Sequence, residues 1–142
     1  LGYQSYQGDL TGSALMVGLR GGYFTSRPVS FELRAQGGSK TYQFGGAVEY
    51  AFARKKTFRS YVQAGWGWYA IWVGTSSDEA LRLRGNGPDI GIGFDYFTNP
   101  RSSVGLSVLQ RFIRYDQSND PRLRRDLDGQ NTVINLRWNI YY

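Results

Sequence analysis

The stretch "SYVQAGWGWYAIWVG", residues 60–74, sets Val62, Ala64, Trp66, Trp68 and Trp72 on alternate positions of an extended chain. Between them stand glycines and polar residues, with almost nothing bulky among them. Successive side chains of a strand point to opposite faces, so three indoles share one face and need one environment to receive them. A watery surface would not accept them, and a core would have to be large.

The same alternation runs outward in both directions. Before this stretch come Leu15, Val17, Leu19 and Tyr23; then Val29, Phe31, Leu33 and Ala35; then Tyr42, Phe44, Val48, Tyr50 and Phe52. After it come Ile90, Ile92, Phe94 and Tyr96; then Val104, Leu106 and Val108; then Ile134, Leu136, Trp138, Ile140 and Tyr142. The helical period is almost absent. Seven strands are clear, and the weaker opening "LGYQSYQ" supplies an eighth, the even number that a meander closing on itself with both ends on one side requires. The 142 residues contain no linker and predict one domain over 1–142.

Connections divide into two kinds. Compact turns rich in Pro, Asn and basic residues, "TSRP" (25–28), "ARKKT" (53–57) and "TNPRS" (98–102), alternate with other connections, two of which are long: 74–86 and 116–130. "GDLTG" and "GGSK" are short, so the asymmetry between the two ends is confined to the second half. Short turns at one end and longer loops at the other are the pattern of an up-and-down membrane barrel.

Alternation alone leaves open which face points inward. The bulk of the residues decides it, because eight strands enclose a lumen only just wide enough for side chains. The aromatic face would not fit there. The opposite face carries Gly18, Gly22, Gly45, Gly65, Gly67, Gly91, Gly93 and Gly105, with Ala47, Ala51 and Ser107, which a narrow lumen accepts. The residues assigned to lipid are therefore Leu15, Val17, Leu19, Phe31, Leu33, Phe44, Val48, Val62, Trp66, Trp68, Trp72, Ile90, Ile92, Phe94, Val104, Leu106, Val108, Ile134, Leu136, Trp138 and Ile140. Tyr23, Phe24, Tyr50, Phe52, Phe58, Tyr96, Phe97, Tyr141 and Tyr142 cluster beside the compact turns and the chain end, as an interfacial girdle would. Strands of roughly 9 to 13 residues match a tilted span with a margin.

On these residues the chain resembles the small eight-stranded outer-membrane barrels of Gram-negative bacteria, of the OmpA-like and OmpX-like kind. "YVQAGWGWYAIWV" (61–73), "GPDIGIGFDYFTNPRSSVGLSVLQRFIRY" (87–115) and "VINLRWNIYY" (133–142) carry the resemblance. It covers about half the chain by motif and nearly all by pattern. It implies an all-β fold, an eight-stranded antiparallel up-and-down transmembrane β-barrel, integral to the bacterial outer membrane. It also implies a C-terminal signal for the barrel-assembly machinery, which Trp138, Ile140 and Tyr142 resemble, with Arg137 where that signal commonly has glycine.

Composition limits the chemistry. The chain has no cysteine and no histidine, which removes thiolate metal sites, the commonest general base and the usual partner of a catalytic serine. No cofactor, metal or enzymatic activity is expected. "DLDGQN" (126–131) spaces Asp126, Asp128 and Asn131 loosely like a calcium loop, but the rest of the ligand set is missing, and it reads as a solvated turn. The net charge of +6 is scattered rather than drawn to one face, so nucleic acid is not an expected partner. No secretory signal peptide opens the chain, as expected of a mature exported form. Arg82, Arg84, Arg122, Arg124 and Arg125 crowd the two long connections, where they either clamp phosphates of lipopolysaccharide or offset nearby carboxylates.

Hairpin register adds an inner set. If Tyr23 faces Val29, Arg20 stands opposite Glu32; if Tyr96 faces Val104, Asp89 stands opposite Arg111; and around "ARKKT" Glu49 stands opposite Arg59 or one diagonal step away. Arg34, Asp95 and Arg137 extend this network across other strands. An unpaired buried ion is strongly penalised, so a lumen holding these groups is expected to be plugged by ion pairs. The function expected is structural or interactive: membrane integrity, or presentation of loops to another envelope protein or to lipopolysaccharide. The alternatives are a soluble lipocalin-like or avidin-like carrier of an apolar ligand, which shares the meander, and a narrow ion channel.

Overall fold

The structure, a computed structural model, describes residues 1–8, 12–24, 28–38, 40–55, 57–73, 81–118 and 127–140. They form eight antiparallel strands in one closed barrel: β1 (Gly2–Gly8), β2 (Gly12–Phe24), β3 (Val29–Gly38), β4 (Thr41–Lys55), β5 (Phe58–Val73), β6 (Leu81–Asn99), β7 (Ser102–Ser118) and β8 (Leu127–Ile140). Each strand pairs with its neighbours in sequence, and β1 pairs with β8. At that seam the Leu1 ammonium donates to the Leu136 carbonyl at 3.0 Å. Closure leaves no edge to template another chain.

Alternation sets the faces. On β5, Tyr61, Gln63, Gly67, Tyr69 and Ile71 are buried, whereas Val62, Ala64, Trp66 and Trp68 are exposed. β3, β4, β6, β7 and β8 repeat this, while on β2 Met16 is buried and inner-side Gly18 and Gly22 are exposed; the large apolar side chains point out, Leu19 being 83% exposed and Trp138 75%. A water-soluble fold would bury them.

Three expectations need correction. The inner face of 60–74 is not free of bulk, because Tyr61, Tyr69 and Ile71 lie inside it. They fit because glycines face them: a Cβ added to Gly67 would stand 2.5 Å from the Tyr69 hydroxyl, and one on Gly93 would collide with Tyr61. The strands also run longer than expected, reaching 19 residues in β6. β6 already begins at Leu81, β7 runs on to Ser118 and β8 begins at Leu127, so 81–86, 116–118 and 127–130 are strand rather than loop. Phe97, finally, alternates to the inner side at the strand end and is not part of the outer girdle.

The registers differ as well. Tyr23 faces Phe31, which puts Arg20 opposite Arg34 and Glu32 opposite Gly22. Glu49 faces Gln63, and Arg59 faces Arg54 beyond a bulge between Ala51 and Ala53. In the second hairpin the chain remains extended to Lys55, so the turn comes later than "ARKKT" suggests. Only β6–β7 has the expected register, with Tyr96 on Val104 and Asp89 on Arg111. A shift by an even number of residues leaves every side chain on its face, so the inner set survives these displacements. The β6–β7 ladder skips Gly87 and Pro88, where Pro88 has no N–H to contribute.

Candidate functional site

Inward-pointing positions of β2 to β8 supply a polar lattice inside the barrel. At the end that carries the compact turns, Glu49 of β4 is its hub. Arg59 of β5 donates to it at 2.8 Å, Arg20 of β2 at 3.2 Å, Arg137 of β8 at 3.3 Å and the Ser30 hydroxyl of β3 at 3.4 Å. Arg20 also pairs with Glu32. Asp95 of β6 forms the second anchor: Arg137 Nε donates to it at 3.1 Å, Asn139 at 3.2 Å, and an Arg59 nitrogen lies 3.6 Å away. The Tyr61 ring lies against two of these cations, 4.4 Å from the Arg137 guanidinium carbon and 5.1 Å from that of Arg59. Such cation–π contacts suit a site with little room for water.

Midway along the lumen Arg34 pairs with Asp89, to which the Tyr69 hydroxyl also donates at 3.3 Å. Asp89 stands opposite Arg111 in register, yet the pairing seen for its carboxylate crosses to Arg34 on β3. Arg111, fully buried, reaches across the barrel from β7 to Gln43 and Gln36 and lies over the Tyr69 ring. Met16, Leu109 and Val133 pack nearby as a small apolar cluster.

Toward the loop end the lumen changes character. Tyr69, Ile71, Leu83, Ile113 and Tyr115 form a buried apolar cluster, with Leu127 against it. The inner side thus carries ion pairs toward the compact turns and an apolar cluster toward the loop end. Eight strands leave little more than side-chain room in any case.

The charged members Arg20, Glu32, Arg34, Glu49, Arg59, Asp89, Asp95, Arg111 and Arg137 all point inward, and all but the half-buried Arg20 are buried. The neutral partners Ser30, Gln36, Gln43, Tyr61, Tyr69, Ser103, Asn135 and Asn139 were missed by sequence reasoning; their only signal was a polar or tyrosine residue on the small-residue face. Arg82 and Arg84 sit on the outer wall of β6 and not in a loop, and Arg122, Arg124 and Arg125 lie outside the described residues. Asp128 and Asn131 belong to β8 and point to opposite faces, one exposed and one buried, so they do not converge on an ion and do not form a turn; Asp126 lies outside the described residues. Tyr141 and Tyr142 of the terminal segment lie outside as well.

An apolar outer wall, a polar filled interior and a closed meander define an integral membrane β-barrel. The chain belongs to the outer membrane protein beta-barrel domain family, which it matches over residues 1–139. Among solved structures it is similar to Neisserial surface protein A, with a TM-score of 0.73, 11% identity, and 99% of this chain and 92% of that one covered. That likeness is one of fold. The KdgM porin is also matched, at 8% identity over 99% of this chain and 98% of that one, but its TM-score of 0.29 supports no comparison of architecture. No curated protein matches. Family and fold place the chain as an integral protein of the bacterial outer membrane, which overturns the alternative of a soluble carrier.

Proposed function

We propose that this barrel is a non-conducting outer-membrane protein with a structural and interactive role: it contributes to membrane integrity and presents its loop end to a partner in the envelope. The observation that carries this reading is the filled lumen, where Glu49 alone accepts bonds from side chains on β2, β3, β5 and β8. An ion would have to break those bonds to pass. Catalysis has no support here, since the chain has no histidine or cysteine and the inner carboxylates are engaged by arginines.

The tall side of the barrel suits presentation. The strands β5, β6 and β7 span 16, 19 and 17 residues, against 7 and 10 for β1 and β3, so one part of the wall rises beyond the rest at the loop end. Delivery to the membrane would use the barrel-assembly machinery, to which Trp138 and Ile140 stand exposed on the outer face of β8.

Planar-bilayer recording of the refolded barrel tests the lumen reading. It should show no steps above the bare membrane; discrete ohmic steps would instead favour the narrow-channel alternative. Covalent cross-linking in intact outer membranes, followed by mass spectrometry, tests the interactive role. A reproducible envelope protein joined at the loop end supports it.

A further inference from the structure

The outer wall at the loop end carries a group of side chains that the lumen does not use. Two adjacent cross-strand rows place it. Trp72 of β5 stands directly opposite Arg82 of β6, and its backbone N–H donates to the Lys40 carbonyl at 2.9 Å, which sets Lys40 on its other side. One step toward the membrane, Ala70 stands between Tyr42 and Arg84. Cations therefore flank the first row on both sides and end the second on one, with the Tyr42 and Trp72 rings among them.

The group is built rather than scattered. The Arg82 guanidinium lies 5.3 Å from the Trp72 ring centroid and donates to the Tyr42 hydroxyl at 2.8 Å. Tyr42 and Trp72 in turn pack with centroids 5.1 Å apart. Ala70 faces outward by alternation yet is only 1% exposed, because its larger neighbours close over it. Arg84 and Lys40 remain exposed beside this platform. None of these six positions carries a carboxylate.

The next row down is Phe44 and Trp68, stacked at 6.2 Å, and below it the wall is apolar. A ligand fitting both parts has an anionic head at the level of Arg82, Arg84 and Lys40 and a hydrocarbon body against Phe44 and Trp68. Guanidinium forks match phosphate geometry, and a ring-held arginine spends less rotamer freedom on binding. Long loops mark the outer side of such a barrel, so the leaflet at this level is the outer one. We propose that Lys40, Arg82 and Arg84, arranged around the Tyr42–Trp72 pair, form a wall site for the phosphate group of an outer-leaflet glycolipid. The site is strand-borne and independent of the long loops.

The test uses the whole refolded barrel in phosphatidylcholine bilayers, titrated with lipopolysaccharide, with the same lipopolysaccharide after enzymatic dephosphorylation, and with inorganic phosphate. Binding is read by native mass spectrometry and by the heating temperature at which the folded gel band is lost. Wild type should bind the phosphorylated glycolipid and gain thermal resistance from it, bind the dephosphorylated form roughly tenfold or more weakly, and ignore inorganic phosphate. Arg84→Gln, which leaves the packed pair intact, should lose about tenfold in affinity, and Arg82→Lys should lose part, since the charge stays while the fork goes. Arg122→Ser, Arg124→Ser and Arg125→Ser combined should keep the preference for the phosphorylated form. Equal binding of both glycolipid forms, or loss of the preference in the loop variant but not in Arg84→Gln, would overturn the site. Phosphate binding alone would also overturn it, because the apolar rows would then have no role. None of these results bears on whether the lumen conducts.

Discussion

Glu49 is 1% exposed and touches three arginines, whereas Glu32 pairs with Arg20 and lies 3.9 Å from Arg137. Removing one member of a buried set costs about 3 to 5 kcal/mol, chiefly through the charges left behind. Glu49→Ala takes a carboxylate from Arg20, Arg59 and Arg137 at once and leaves Arg59 only the 3.6 Å approach to Asp95 among its ion pairs here, whereas after Glu32→Ala both Arg20 and Arg137 keep Glu49. Urea unfolding in lipid vesicles should therefore rank Glu49→Ala as the more destabilising. A double-mutant cycle between Arg20 and Glu32 should show coupling, with the double variant less costly than the two losses added. Additivity would mean that the contact contributes nothing. At this scale the charged members were legible in the sequence, since an ion on the small-residue face has few places to go. Their partners were not. A serine such as Ser30 or a glutamine such as Gln43 looks the same on a strand whether it faces water or completes a network, and only the closed barrel brings β7 within reach of β3 and β4.

Facing was legible along whole strands because it depends on parity alone. Val48 lies on the outer face near the middle of β4, so Val48→Arg places a charge against hydrocarbon and should cost about 2 to 4 kcal/mol. Thr132→Leu, also on the outer face, loses a 2.8 Å bond to Gln110 but adds apolar surface, and should fold into vesicles as wild type does. Equal folding of Val48→Arg and wild type would sink the assignment of faces. Register was less legible, since it depends on where a turn begins. The "TSRP" and "ARKKT" hairpins each turn later than their composition suggests, and the pairs form nonetheless because long side chains reach along the neighbouring strand, one diagonal step for Arg20–Glu32 and four residues, past the bulge, for Glu49–Arg59. The glycines give a further contrast. Strand propensity favours replacing Gly93, but an added Cβ would meet the Tyr61 ring, so Gly93→Ala should destabilise by about 1 to 3 kcal/mol. A neutral or stabilised variant, measured by the same unfolding assay, would show that Tyr61 does not need the space.

For the whole molecule, closure and location followed from composition: bulk outside and small residues inside admit one orientation of a narrow barrel. The apolar cap did not, because Ile71, Leu83, Ile113 and Tyr115 are single large residues on four different stretches of the inner face, and only the closed barrel gathers them near the loop end. This division along the axis predicts how the barrel leaks. Two barriers in series pass no more current than the tighter one allows. Thinning the cap with Ile71→Ala, Leu83→Ala and Ile113→Ala together should admit water to the upper lumen and leave the ion lattice shut. Thinning the lattice with the paired changes Glu49→Gln and Arg59→Gln should remove fixed charge below a cap that still excludes ions by its dryness. Each variant alone should stay silent in planar bilayers. The combined variant, if it still shows the heat-modifiable band of a folded barrel, should give small conductance steps. Steps from the cap variant alone would mean that the lattice is permeable, and the proposal of a non-conducting barrel would then rest on the cap rather than on the ion pairs.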